Sequence, residues 1–179
     1  EMMRKYKEGS LEEEKPTLVE KGFNVFCDFS ASSLKEVLEQ FLEFVEPGGY
    51  ISIHAYLPTK PLIEKELISL VSLLRDRTKK AVTFGYGPRF LHSTGQLHKG
   101  DGGKGLFLQL VSEPSIDIPV PEEAGTEAFS FTFGTLKKAQ ASGDREALKR
   151  GGRKVISLFF SGNSEEKIRT LKETFLDIL

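Results

Sequence analysis

Between Gly85 and Leu110 the chain reads GYGPRFLHSTGQLHKGDGGKGLFLQL. An arginine, two histidines, a Ser-Thr pair, a glutamine and two lysines surround a glycine run that opens into an apolar strand. Imidazole changes charge near neutral pH, so His98 suits proton exchange with a sugar oxygen, the work needed to open a hexose ring. Arg89, beside Pro88, offers a planar fork of donors for a phosphate or an enediolate oxygen. Ser93, Thr94 and Gln96 are short polar side chains suited to ligand hydroxyls. If the chain from Thr94 to Lys99 is helical, Thr94 and His98 lie four apart on one face. Each residue also has an ordinary structural use: a histidine with one hydrogen bond, a surface ion pair, a cap. Their concentration in one stretch makes sugar or phosphate chemistry the leading expectation.

Other chemistries fit poorly. His92 and His98 are six apart, with no H-E-x-x-H and no paired cysteines, so no metal is expected. A serine hydrolase would need a G-x-S-x-G elbow, and none occurs. Gly100 to Gly105 spells G-x-G-x-x-G, but the dinucleotide pattern follows a strand and opens a helix, whereas here the strand comes afterwards. A nicotinamide cofactor is therefore not expected, and these glycines serve better as a turn that lets backbone approach a ligand. The basic cluster Lys149, Arg150, Arg153 and Lys154 reads as solvated cations complementing a helix C-terminus.

The elements that must position these groups are legible around them. Ser33 and Glu36 form a capping box, and Leu34, Val37, Leu38, Phe41, Leu42 and Val45 then recur at helical spacing until Pro47-Gly48-Gly49. Tyr50 to Leu57 reads as a strand, Leu62 to Arg77 as a helix and Ala81 to Gly85 as a second strand. Such a βαβ unit makes the two strands parallel with a right-handed crossover. The polar cluster starts where the second strand ends, and open parallel sheets bind ligands beyond their carboxyl edge. A strand from Gly105 to Val111 and an acidic surface loop from Glu113 to Glu127 follow. Thr135 to Arg150 is expected as a helix interrupted at Ser142-Gly143, with Asp144 capping the second piece. Lys154 to Phe160 reads as a strand, and Asn163 and Glu166 cap a last amphipathic helix.

With 179 residues, 39% of them hydrophobic and 14 of them phenylalanine, one domain with a sizeable core is expected. A formal charge of -1 gives no field to recruit nucleic acid or an anionic membrane. The single cysteine, Cys27, lies in an apolar run and reads as a buried, inert thiol, which fits a reducing cytoplasm. No apolar run reaches membrane-spanning length. Opening on Glu1, the sequence reads as the C-terminal fragment of a longer chain.

At YGPRFLHSTGQLHKG, followed by GLFLQL and FTFGTLKKAQASGD, the sequence resembles the C-terminal isomerase part of bifunctional transaldolase/glucose-6-phosphate isomerase proteins. The resemblance runs from about Gly49 to Lys154. It implies a sugar isomerase (SIS) domain, a flavodoxin-like three-layer α/β sandwich with a mostly parallel sheet. It also implies interconversion of glucose 6-phosphate and fructose 6-phosphate without metal or organic cofactor, by ring opening and proton transfer through an enediolate. On it, Gly95-Gln96-Leu97-His98 resembles the setting of the ring-opening histidine, with one extra residue, and Phe133 to Lys137 the start of the lysine-bearing helix. Lys137, with Lys138 as its alternative, then assists at the ring oxygen. No motif matches the family's proton-shuttling glutamate. The partners implied are a sugar phosphate, an upstream SIS subdomain, a transaldolase domain and a second copy in a homodimer. The alternative reading is a non-catalytic sugar-phosphate-binding module of the regulatory SIS kind.

Overall fold

The computed structural model describes residues 14–92 and 95–179. In chain order the elements are β1 (Leu18–Glu20), β2 (Phe23–Phe26), α1 (Leu34–Glu43), β3 (Tyr50–Tyr56), α2 (Pro61–Thr78) and β4 (Ala81–Tyr86). A 3-10 turn (Arg89–His92), α3 (Gln96–Gly100), β5 (Gly105–Ser112), β6 (Pro119–Pro121) and β7 (Phe129–Thr132) come next, followed by α4 (Phe133–Arg150), β8 (Lys154–Phe160) and α5 (Ser164–Leu176). Six strands form one sheet in the order β1-β2-β8-β5-β3-β4. The inner run β8, β5, β3 and β4 is parallel, as the βαβ pattern requires, and the hairpin β1-β2 adds an antiparallel edge against β8. With helices on both faces, this is the expected three-layer α/β sandwich with a mostly parallel sheet.

Because side chains alternate along a strand, each strand divides between two different layers. Ile51, Ile53 and Ala55 of β3 join the main core with Leu34, Leu38 and Phe41 of α1, Leu67, Leu70 and Leu74 of α2, and Ile168, Leu171 and Phe175 of α5. The intervening residues Tyr50, Ser52, His54 and Tyr56 face the opposite layer, which α3 and α4 cover. That second face carries polar groups a core strand ordinarily lacks.

Local signals explain the helix ends. The Ser33 hydroxyl accepts the Glu36 amide at 3.2 Å, while the Glu36 carboxylate accepts the Ser32 amide and hydroxyl, each at 2.7 Å, so the capping box closes one residue earlier than its usual form. Pro61 occupies the first turn of α2, where its missing N–H costs nothing. Asn163 Oδ1 accepts the amides of Glu165 and Glu166.

Several expectations are corrected. α4 runs unbroken through Ser142-Gly143 and starts at Phe133, capped by Thr132. Gly143 in mid-helix costs about 1 kcal/mol, and burial of Ala139, Ala141 and Leu148 on the inner face outweighs that. Asp144 caps nothing and is bound by side chains of two other elements. The exposed acidic loop contains β6, paired with β7 in a small antiparallel ribbon. Cys27 is only half-buried, with its thiol donating to the Phe29 carbonyl at 3.2 Å. Arg153 is not solvated: its side chain is 11% exposed and bound to Asp101. Among the described residues, no helix is long and apolar enough to cross a membrane.

Phe175 is fully buried between the sheet and its helices. Truncation to alanine is expected to lower unfolding free energy by about 3–5 kcal/mol in urea titrations.

Candidate functional site

β4 ends at Tyr86, in register with Ala55 near the far end of β3, whereas β5 begins at Gly105 opposite Tyr50. The connection must therefore travel back along the sheet, and it does so with a 3-10 turn and a five-residue helix rather than one long helix. It begins close against the sheet. The Gly87 amide donates to the Ala55 carbonyl at 3.0 Å, and a Cβ at Gly87 would lie 2.6 Å from the Tyr56 ring. At Gly85 a Cβ would lie 2.7 Å from the Phe90 ring, so the missing side chains make room for two aromatics.

So short a helix buries little of its own surface, and two carboxylates anchor this crossover. Asp144 of α4 accepts the Tyr56 hydroxyl at 2.6 Å and the Lys99 ammonium at 3.0 Å. Asp101 accepts the Tyr50 hydroxyl at 2.6 Å, Arg153 Nε at 3.0 Å, and the amides of Gly103 and Gly105 at 3.0 and 3.1 Å. Arg153 also donates to the Asp101 carbonyl. Burial alone would raise the Asp101 carboxyl; the Tyr50 hydroxyl, the Gly103 amide and Arg153 together outweigh it and hold the group below the usual carboxylate range. Both tyrosines are pushed above the ordinary phenol range, first by burial and then by their carboxylate partners, so they remain donors at any physiological pH.

Between the anchors sits a pair of imidazoles. His54, fully buried on β3, places Nε2 3.1 Å from Nδ1 of the half-buried His98, with ring planes 15° apart. Phe90 and Phe107 flank both rings at centroid distances of 5.0 to 5.7 Å, and Tyr50 lies 5.9 Å from His98. Burial, together with the charges of His98 and Lys99, pushes His54 down to about 3. His98 is also lowered by burial, against an opposing pull from Asp101. The same sheet face continues as a polar layer. Thr83 donates to Ser52 at 3.2 Å, Ser157 donates to Gln109 at 2.6 Å, and Gln109 donates to the Ala141 carbonyl at 3.3 Å.

Lys137 lies half-buried in the first turns of α4. Burial lowers its ammonium, with Asp117 and Glu113 acting in the opposite direction. Lys137 and Asp144 are seven residues apart on one continuous helix, hence on one face and about 10 Å apart along its axis. The Asp144 anchor therefore links the crossover bearing His98 to the helix bearing Lys137. Arg89 is exposed at the start of the 3-10 turn, and Gln96 is exposed at the start of α3. Ser93 and Thr94 lie outside the described residues, so the shared face expected for Thr94 and His98 is not described. The helix itself is Gln96–Gly100.

One stretch of the chain matches curated proteins. Over 78 residues it is 38% identical to the glucose-6-phosphate isomerases of two strains of Thermus thermophilus, a match covering 41% of this chain and 19% of each relative. The chain thus spans about a fifth of the length of these relatives. Across 82% of its length it superposes on 38% of a solved chain, a hypothetical protein from Thermus thermophilus, with a TM-score of 0.65 and 21% identity. That likeness shows the fold. No family model matches the chain.

His98 and Lys137 were legible in the sequence and Asp144 and Arg153 were assigned other roles, whereas His54, Tyr50, Tyr56 and Asp101 were not legible. A signal for three of them existed. Parallel strands buried on both faces run almost continuously apolar, yet YISIHAY places Tyr, Ser, His and Tyr at alternate positions. The partners of those residues come from 44 to 88 residues away and leave no local pattern.

The buried His54 has a consequence for acid stability. An unfolded chain takes up its proton near 6.5, the folded chain only near 3, so the contribution is complete above pH 6.5 and is lost as pH falls toward 3. The urea midpoint of the wild type is expected to fall more steeply between pH 7 and pH 4 than that of His54→Gln; parallel slopes would contradict the buried, neutral assignment.

Proposed function

We propose that this unit supplies part of the active site of an aldose-ketose isomerase that interconverts glucose 6-phosphate and fructose 6-phosphate. The observation that carries this reading is the half-buried His98 imidazole, fixed through Nδ1 on the polar face of a parallel sheet, in a chain partly similar to curated glucose-6-phosphate isomerases. In ring opening the C1 hydroxyl loses its proton, the bond from C1 to the ring oxygen breaks, and the ring oxygen gains a proton. His98 assists by hydrogen bonding at the ring oxygen. Moving a proton between C2 and C1 then passes through an enediolate, whose negative oxygen would be stabilised by the cations Lys137 and Arg89. Ser93, Thr94 and Gln96 take hydroxyl or phosphate contacts.

The carboxylate that shuttles the carbon-bound proton is not Asp101 or Asp144 in this reading, because each is already held by a tyrosine and a cation. A second SIS-type unit upstream supplies it. The motif resemblance also supports a transaldolase unit in the same polypeptide and favours a homodimer. Steady-state kinetics of His98→Ala in the intact protein test the proposal. Turnover on the pyranose is expected to fall about 10²-fold or more with little change in KM. A raised KM with unchanged kcat would favour the binding-module reading, and no change in either would remove His98 from the site.

A further inference from the structure

We infer that His54 is a positioning residue for His98: from β3 its Nε2–H donates to His98 Nδ1, so that His98 meets its ligand as a neutral ring whose own proton sits on Nε2. The ligand atom such a ring selects is an oxygen acceptor, a sugar ring oxygen or hydroxyl. This deepens the isomerase reading and rests on it for the identity of the ligand, but the proton arrangement stands on the geometry of the two rings.

Only two neutral arrangements satisfy a nitrogen-to-nitrogen contact of 3.1 Å. In one, His54 carries its proton on Nε2 and donates; in the other, it carries the proton on Nδ1 and accepts from His98. His54 Nδ1 is buried and has no hydrogen-bond partner among the described residues. The second arrangement would strand an N–H there, and orphaned buried N–H groups are rarer than orphaned acceptors. The first leaves only a bare lone pair among Phe90 and Phe107. It also gives both rings the Nε2–H form, the commoner tautomer of a free histidine side chain.

The same contact keeps His98 uncharged. Protonation at His98 Nδ1 would bring two N–H groups face to face unless His54 moved its proton to the stranded nitrogen. The other ionisable groups around the pair do not reverse this. Tyr50 is a donor already committed to Asp101, Lys99 is paired with Asp144, and Asp101, whose charge favours a protonated His98, is shared with Arg153. His98 therefore acts as an oriented hydrogen-bond donor and not as the resting-state base. The carboxylate required for carbon-proton transfer remains a separate group.

Long-range proton–nitrogen correlation spectra of the 15N-labelled chain at pH 7 test this directly. Protonated-type Nε2 and imine-type Nδ1 signals are expected for both His54 and His98. His54→Phe, which removes the donor while keeping an aromatic ring, is expected to raise the His98 titration midpoint by about 1 unit. A His98 protonated on Nδ1, a charged His98 at pH 7, or a midpoint unmoved in His54→Phe would each overturn the inference. Should that variant not fold, the wild-type tautomers alone decide. No sugar enters the measurement, so a wrong isomerase assignment would show in the turnover of His98→Ala while the tautomers stood, and the reverse failure is equally visible.

Discussion

Among the described residues of the connection that returns from β4 to β5, the five-residue helix Gln96–Gly100 buries none of its own side chains. Here the deficit is met by charge: Asp101 and Asp144 each receive one tyrosine hydroxyl from β3, that of the half-buried Tyr50 and of the buried Tyr56, and one cation. The tyrosines sit six residues apart on the same strand face, so the strand's period dictates where the anchors fall. Between them, and on that same face, is His54. The position of His98 is a consequence of this spacing, and so is the link from the crossover through Asp144 to α4 and Lys137. Partly buried carboxylates with several donors are costly to leave unpaired.

The architecture was largely readable from the sequence because local rules determine it. Apolar periodicity located α1, α2, β3, β4, β5, β8 and α5, and the βαβ spacing implied the parallel pairing of β3 and β4. The misreadings came where tertiary contacts override local preference. Gly143 broke α4 on propensity alone, but the buried Ala139, Ala141 and Leu148 on its inner face carry the helix through. Arg153 looked like a solvated helix-end cation because its partner, Asp101, lies 52 residues earlier. The site was half legible. The motif around Gly95 to His98 flagged the imidazole, whereas the expected gathering at the carboxyl edge of the sheet proved to be a path across its face.

That path gives the proposed chemistry a definite character. A ring held by a buried neutral neighbour differs from one held by a carboxylate, which would favour the imidazolium. Aromatic walls from Phe90 and Phe107 lower the local dielectric around the pair, strengthening the hydrogen bond that orients it. The chain thus offers an oriented donor, a half-buried lysine two helical turns from the Asp144 anchor, and an exposed arginine at the entrance to the crossover. In the proposed reaction these groups bind and polarise oxygens, and a carboxylate from another unit completes the proton shuttle.

The central claim, that two carboxylate anchors and not helix propensity hold the crossover, is tested most directly by amide hydrogen exchange on Asp101→Asn/Asp144→Asn. The account predicts loss of protection confined to Gly95 through Gly105, with the amides of β3, β8 and α5 exchanging as in the wild type. Unchanged protection across the crossover, or a uniform loss throughout the sheet, would contradict it.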